Sequence, residues 1–325
     1  MKIAFTSEVN YKGKYPRNFK NARTDVAWMI ALDAIHIPLS YFLSGGSDIS
    51  DYKFDYIFVI LPKNEQLITY LAEHFLEISL RQVAHKICFI QEGPNDYFKD
   101  YSIENQTWFY NFIMNCDFIF CHNYYDKMYY EGIINKSVFI MPSLMIEDTI
   151  KDIDQVERKN IIINGNFCKW YNAFDSYLIA RSLIDSTVNH EIRIYCPTMG
   201  RKKENEESLA YLTHLQYTDW TQWIYNLNQF KFAINMMPTI AAGTFSLNCA
   251  YLGIPCIGNM DIDTQSDLFP DLSILINNIG EAKKLMNKLY YDKDFYNKVS
   301  QHSIKTYNCL YKENIFIKHI KNILE

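Results

Sequence analysis

Glycine and proline are scarce in this chain, 11 and 9 among 325 residues. That excludes collagen-like, linker-rich and low-complexity designs and favours long regular elements. Cysteine is present eight times, at Cys88, Cys116, Cys121, Cys168, Cys196, Cys249, Cys256 and Cys309, but no two form a Cys-x-x-Cys pair. Most lie inside apolar runs, so they read as reduced core residues of a cytoplasmic protein rather than metal ligands or disulfide partners. No apolar run approaches the ~20 residues of a membrane span. Residues 1–5 lead straight into a strand-like run with no signal-peptide pattern. Positive charge is also short, 32 Lys and Arg against 37 Asp and Glu, a net −5. A surface that coats nucleic acid is disfavoured by this balance, although a local basic patch is not. What the chain has is apolar and aromatic content, 49% and 16%. With this length it can build roughly two domains of ~150 residues, each with its own core.

Short β-rich runs alternate with longer helical stretches, the pattern of βαβ units on a parallel sheet. Strands are expected at 1–6, 35–39, 56–61, 86–91, 118–121 and 138–141. Helices are expected at 21–34, with Ala22, Val26, Met29 and Ile30 on one face, and at 65–83, with Ile68, Leu71, Phe75 and Ile78 at helical spacing. Residues 147–159 are charged and poor in apolar side chains, and read as a solvated linker. A second series follows, with strands at 160–164, 191–196, 232–235, 254–257 and 273–276. Helices fill its gaps at 172–186, 219–228, 245–252 and 281–290, with two more to the C-terminus. The fold class is α/β: two Rossmann-like domains whose parallel sheets face each other across a cleft. Ligands of open parallel sheets bind beyond the carboxyl ends of the strands, so chemistry is sought in the loops that follow them.

The first such loop, residues 8–23, carries Lys12, Lys14, Arg17, Lys20 and Arg23 interleaved with Tyr11, Tyr15 and Phe19. Glu8 opens it and Asp25 follows it. Clustered cations attract phosphate, and aromatic rings stack on bases or sugars. The fourth strand ends in Gln91-Glu92-Gly93-Pro94-Asn95-Asp96, where Glu92 suits a general base or a hydroxyl acceptor. His122 and Asn123 stand just past the fifth strand. In the second half, Asn164-Gly165-Asn166 ends a strand with Lys169 close behind. A glycine there lets backbone N–H groups approach a diphosphate that a lysine neutralises. Another post-strand loop contains Arg201, Lys202 and Lys203. The sharpest signal is Gly243-Thr244-Phe245-Ser246-Leu247-Asn248, small residues opening a helix whose free N–H groups and dipole hold an anion. The helix ends at Gly253, and Pro255 starts the next strand. Two Asp-x-Asp matches, Asp152–Asp154 and Asp261–Asp263, do not follow a strand of the first unit and are read as chance, so no metal is expected.

These pieces resemble the GT-B glycosyltransferases, which use nucleotide sugars. The strand ending at Gly165 looks like their diphosphate loop, and the run 243–255 like their donor-binding helix and next strand. Retaining members carry two glutamates eight positions apart around that helix start. The corresponding residues here are Ile240 and Asn248, so both acids are missing. In the first half, Ile90-Gln91-Glu92 and the run 116–123 are similar to phage α-glucosyltransferases that modify hydroxymethylcytosine in DNA. The resemblance implies an acceptor domain at 1–146, a linker at 147–159 and a donor domain at 160–308. A C-terminal helix at 309–325 would pack back on the first domain. It implies a glycosyltransferase working without a resident cofactor on a nucleoside diphosphate sugar, most simply a UDP-sugar. The acceptor would be a hydroxymethylated pyrimidine in double-stranded phage DNA. Surface polysaccharide or glycolipid acceptors, a non-catalytic sugar-nucleotide binder and a two-domain epimerase are the alternatives. Catalytic positions would be Glu92 and His122. Donor-binding positions would be Gly165, Asn166, Lys169, Arg201, Tyr217, Trp220, Gly243, Thr244, Phe245, Ser246 and Asn248. Acceptor-binding positions would be Glu8, Lys12, Lys14, Arg17, Arg23, Asp25 and Asp96.

Overall fold

The computed structural model describes residues 1–43, 53–154, 156–187, 191–198 and 202–325. The chain divides into two units. Unit 1 is Met1–Phe19, Asp25–Pro142 and Ile317–Glu325, and unit 2 is Lys20–Thr24 and Ser143–Phe316.

Unit 1 is built on β1 (Ile3–Ser7), β2 (Ile35–Pro38), β3 (Phe54–Ile60), β4 (Ala84–Ile90), β5 (Phe118–Cys121) and β6 (Val138–Ile140). They pair in the order β2-β1-β3-β4-β5-β6, all parallel. Unit 2 contains β7 (Asn160–Ile163), β8 (Ile194–Pro197), β9 (Leu212–Leu215), β10 (Phe230–Asn235), β11 (Cys256–Asn259) and β12 (Ser273–Ile274). Its order is β12-β11-β10-β7-β8-β9, again all parallel. The expected α/β class with parallel sheets is therefore the observed one. Helices cover both faces of such sheets, so their strands read as continuous apolar runs. All five residues of β1 are buried, and Phe5 stacks on Phe58 with centroids 4.7 Å apart. The winding direction reverses between β1 and β3 in unit 1 and between β7 and β10 in unit 2, which sets a switch point in each.

The structure departs from the sequence pattern in four places. The expected helix 65–83 is two helices, Glu65–Glu73 and Leu76–Val83, broken where Phe75 takes a left-handed φ of 49°. Phe75 and Ile78, expected on its buried face, are 68% and 59% exposed. The buried residues are Ile68 and Leu71 in one helix and Leu76, Leu80 and Val83 in the other. The expected helix 21–34 is confined to Thr24–Ala31. Residues before it pack in unit 2, where the Asn21 side-chain oxygen accepts from the Trp220 N–H at 3.1 Å. Strand β9 carries no long apolar run, because an edge strand has only one neighbour to hold it.

The fourth departure is the charged stretch 147–159, which does not run free through solvent. The Glu147 carboxylate accepts from the Tyr307 hydroxyl at 2.6 Å and from Lys312 at 2.7 Å. Arg158 donates to the Asn228 carbonyl at 2.9 Å, to its side-chain oxygen at 2.7 Å and to the Leu252 carbonyl at 2.8 Å. A cavity of about 740 Å³ beside this strap is lined by Lys151, Asp154, Arg158, Tyr251 and Tyr307, among others. It adjoins Asn228 and Leu252, which precede β10 and β11, so it lies at the opposite strand ends from a ligand site of this fold. Six of the eight cysteines are buried as free thiols, Cys168 is half-buried and Cys309 is exposed.

Removing the Arg158 guanidinium strands three half-buried acceptors. Arg158→Ala should destabilise the protein by about 2 kcal/mol in urea denaturation, the range of a lost charged hydrogen-bond set. Unchanged stability would mean that the strap is held elsewhere.

Candidate functional site

In unit 2, β7 runs into a turn at Gly165, whose φ of 81° favours glycine. A Cβ there would stand 2.6 Å from the Tyr171 Cβ. The Gly165 carbonyl accepts from the Cys196 thiol at 2.9 Å, and that of buried Asn166 from the Ala173 N–H at 3.2 Å. Lys169 is exposed, with its ammonium 4.5 Å from the centroid of the Trp170 ring. Across the switch point, the Asn164 amide donates to the Asn235 oxygen at 2.9 Å. The Asn235 amide nitrogen is buried without a partner. The loop after β10 leads to Gly243, left-handed at 74°, and the helix Thr244–Tyr251. A Cβ on Gly243 would come within 2.6 Å of the Thr264 Cβ. The first N–H groups of this helix have no acceptor within it.

Several side chains expected to bind the donor turn inward instead. Ser246 is fully buried and donates to the Gln265 oxygen at 2.6 Å. Asn248, oriented as its neighbours require, accepts from the Trp223 indole N–H at 3.1 Å and donates to the Thr244 carbonyl at 3.3 Å. Phe245 and Trp220 are buried. The anion-holding capacity of this region is therefore backbone, at residues 243–246 and 165–166. Tyr217 is exposed under the Arg23 guanidinium, 5.0 Å from its ring centroid, and Arg23 donates to the Thr218 carbonyl at 2.8 Å. Arg23, expected among the acceptor residues of the first domain, thus packs in unit 2. Arg201 lies outside the described residues.

In unit 1, the first loop folds back on β2 by backbone hydrogen bonds between Gly13 and His36, 2.9 Å in both directions. Buried His36 lies 2.9 Å from the Ser7 hydroxyl and 2.5 Å from the Tyr11 carbonyl. Tyr11 stacks on Tyr15 at 4.2 Å, and Tyr15 meets Phe19 at 5.0 Å. Lys12 sits over the Tyr41 ring, and Lys14 pairs with Asp33 at 2.5 Å. Part of the loop's charge is therefore already engaged. Glu8 and Arg17 are exposed, as is Asp96 in the short helix Asn95–Phe98.

The carboxyl ends of β3, β4 and β5 and the first turn of helix Thr24–Ala31 bring four titratable side chains together. Glu92 pairs with Lys63 at 2.8 Å. Asp25 stands in the first turn of the helix and receives backbone N–H groups from Val26 and from itself. Burial, then the charge of Glu92, push Asp25 up to about 6 despite those bonds and Lys63. One turn along, Trp28 stacks on His122 with centroids 5.1 Å apart. His122 is buried, with Nδ1 3.3 Å from the Met141 carbonyl and Nε2 without a partner. The carbonyl requires the proton on Nδ1, which leaves a lone pair on Nε2. Burial lowers the His122 pKa and keeps the ring neutral. A hydroxyl entering here meets three acceptors, two carboxylates and an imidazole lone pair, beside the Lys63 ammonium.

Sequence reading passed over Lys63, which directly follows β3 as Leu61-Pro62-Lys63 and could have been found by the rule that marked Glu92. It also missed Asp126, three residues past Asn123. This buried carboxylate accepts from the Asn95 amide at 2.6 Å and the Asn123 amide at 3.0 Å. It ties the Glu92 turn to the helix that follows His122.

Because Asp25 binds its proton more tightly folded than unfolded, its charge costs stability above about pH 6. The cost fades as pH falls from about 6 to the ordinary Asp value and is absent below it. Asp25→Asn should therefore raise stability at pH 8 by about 1–3 kcal/mol, discounted for partial exposure. At pH 3.5 the gain should disappear. Equal urea midpoints for the two proteins at pH 8 would contradict this assignment.

No protein-family model and no curated protein matches the sequence. The structure is similar to the sucrose-phosphate synthase of Thermosynechococcus elongatus, with TM-score 0.70 and 9% identity over 99% of this chain and 98% of that one. It is similar to an alpha-glucosyltransferase in complex with UDP and a 13-mer DNA containing an HMU base, with TM-score 0.62 and 11% identity over 99% and 98%. A third is a mutant of S. aureus TarM in complex with fondaparinux, alpha-GlcNAc-glycerol and UDP, with TM-score 0.64 and 10% identity over 88% of this chain. The chain spans only 59% of that TarM structure and 58% of the pneumococcal O-GlcNAc transferase GtfA. At such identities the likeness is one of fold, and that fold is GT-B.

Proposed function

We propose that this chain is a glycosyltransferase that moves a sugar from a UDP-sugar to an acceptor hydroxyl, that of a 5-hydroxymethylpyrimidine in phage double-stranded DNA. The observation that carries the transferase reading is the placement of two backbone anion cradles on one sheet. The Gly165 turn and the Gly243 helix start follow β7 and β10, the two strands that flank the switch point. Unit 2 would hold the diphosphate there, with Lys169 adding a cation and Tyr217 bordering the base. Fixed dipoles aimed at a departing diphosphate stabilise it without reorganising. In unit 1, Glu92 and His122 would accept hydrogen bonds from the acceptor hydroxyl.

The DNA acceptor is supported by the alpha-glucosyltransferase bound to DNA, which matches this chain nearly end to end. The loop of Lys12, Lys14, Arg17 and Lys20 with its stacked aromatics supports it as well. A saccharide acceptor is the second reading, favoured by the likeness to TarM and sucrose-phosphate synthase.

Incubation with UDP-sugars and hydroxymethylated DNA, followed by nucleoside mass spectrometry, should show a mass gain of one sugar. UDP release with saccharides but not with DNA would overturn the acceptor, and release with no acceptor class would overturn glycosyltransfer. Lys169→Ala should weaken UDP binding about tenfold, roughly 1.4 kcal/mol. Neutralising Lys12, Lys14 and Arg17 together should lower the slope of log affinity for DNA against log salt by about 2–3. An unchanged slope would remove this loop from DNA binding.

A further inference from the structure

Where β7 and β10 end, unit 2 leaves a run of hydrogen-bond donors open. The Asn164 N–H still belongs to the sheet and donates to the Ile234 carbonyl at 2.9 Å. Beyond it, the N–H groups of Gly165, Asn166, Phe167 and Cys168 find no acceptor among the described residues. Gly165, Asn166 and Phe167 are nonetheless buried. Buried N–H groups without partners are rare in folded proteins, and successive ones in a turn form a concave anion site. The carbonyls of this turn are by contrast engaged. That of Gly165 accepts from the Cys196 thiol, that of Asn166 from the Ala173 N–H, and that of Cys168 from the N–H groups of Tyr171 and Asn172.

Asn235, the last residue of β10, adds a side chain to this run. It is 1% exposed, and its Oδ1 accepts from the Asn164 amide at 2.9 Å. That bond sets the Asn235 amide group against the residue from which the turn starts. Asn164 is half-buried, so the pair stands at the rim of the sheet with Asn235 on its inner side. The chain after Asn235 is tied to the same turn and to the helix that follows it. The Met236 N–H donates to the Ser176 hydroxyl at 3.0 Å, in the helix Ala173–Thr187, and the Thr239 hydroxyl donates to the Trp170 carbonyl at 2.6 Å. The Asn235 amide nitrogen alone is left over from these contacts, buried and without a partner. An open buried donor costs the folded state the desolvation of that group, so packing by itself favours an apolar side chain here.

We propose that the Asn235 amide donates to a phosphate oxygen of the UDP diphosphate, beside the open N–H groups of residues 165–168. This rests on the UDP-sugar reading above. A diphosphate matches the place in kind, because it offers several oxygens and negative charge to a set of donors. Hydrogen bonds to such an anion are stronger than those to neutral groups. The choice of an amide also follows. A carboxylate at this position would repel the diphosphate, and an ammonium would be an unpaired buried charge whenever the site is empty. An amide supplies a directed donor with no net charge. While Asn164 donates to Oδ1, the group cannot turn over to present an acceptor, so the pair fixes Nδ2 as the ligand's donor. A donor held in this way meets the anion without reorganising.

The test compares the affinities of UDP and of uridine, by calorimetry and competition, with the urea midpoint of the unliganded protein. Asn235→Leu removes the donor at similar volume. UDP affinity should fall about tenfold or more, because a hydrogen bond to a charged group is lost. Uridine affinity should stay as it is. The urea midpoint should be unchanged or higher, since an unmatched buried donor has gone and half-buried Asn164 can turn to water. Asn235→Asp keeps the oxygen that Asn164 needs but sets a carboxylate against the diphosphate, and should weaken UDP more than Asn235→Leu does. A lower midpoint with unchanged UDP affinity would mean that the amide serves the fold alone, and would overturn the proposal. Equal losses for UDP and uridine would overturn it by placing the amide at the nucleoside. A wild type that binds no UDP would overturn the UDP-sugar reading as well, whereas UDP bound equally by wild type and both variants overturns the role of Asn235 only. Proton–nitrogen NMR of the wild type reads the same contact without a variant that must fold. The Asn235 side-chain amide signal, assigned from its own backbone, should move on addition of UDP and not of uridine, and an unmoved signal would overturn the proposal.

Discussion

A strand inside a parallel sheet gives its backbone hydrogen bonds to neighbours on both sides and its side chains to helices on both faces. Nothing polar can be spent along its length, so polar chemistry is pushed into the loops at its ends. Both sheets obey this constraint. All of β1 and most of β7 and β10 are buried, and the residues that could touch a ligand begin where each strand stops. Ser7, Lys63, Glu92 and His122 follow from it in unit 1, as do Asn164, Gly165 and Asn235 in unit 2.

The two units use that position differently. Unit 2 offers backbone: a glycine turn and a helix start whose first N–H groups have no acceptor within the helix, while Ser246 and Asn248 turn into the packing. Dipoles fixed in this way suit a group that is already an anion. Unit 1 offers side chains of unlike protonation behaviour in a half-buried place. Lys63 pairs with Glu92, burial keeps His122 neutral, and burial with the charge of Glu92 raises Asp25 to about 6. A carboxylate held at such a cost is poorly explained by packing alone, since an amide would fill the space more stably. The buried Asp126 network behind it, by contrast, is fully hydrogen-bonded and acts as a clamp on the Glu92 turn.

Much of the fold was legible because apolar runs and helical spacing are local properties. Residues 118–121 were expected as a strand and are one, and most other elements shifted only at their ends. Failures came where a distant surface decides. Phe75 and Ile78 match a helical face by spacing, but the helix breaks at Phe75 and the second helix buries Leu76, Leu80 and Val83 against the same core, leaving both exposed. Residues 147–159 look solvated because they are charged, yet Tyr307, Lys312, Asn228 and Leu252, 70 to 165 positions on, supply their partners. In the site, Gly243 and Ser246 were noticed as small residues for an anion, whereas Thr264 and Gln265 are what require them to be small or polar.

The sequence by itself determined the two parallel α/β units, the free buried thiols and the loops in which chemistry could sit. Periodicity, apolar runs and turn residues act within a few positions and need no partner to be read. Only the tertiary structure decided which loop residues meet. Asp25 comes from a helix start and Lys63, Glu92 and His122 from the ends of β3, β4 and β5, across nearly a hundred residues, and strand order brings those strand ends side by side. The protonation of Asp25 and His122 is set by burial and by neighbouring charge, and neither quantity exists until the chain has folded.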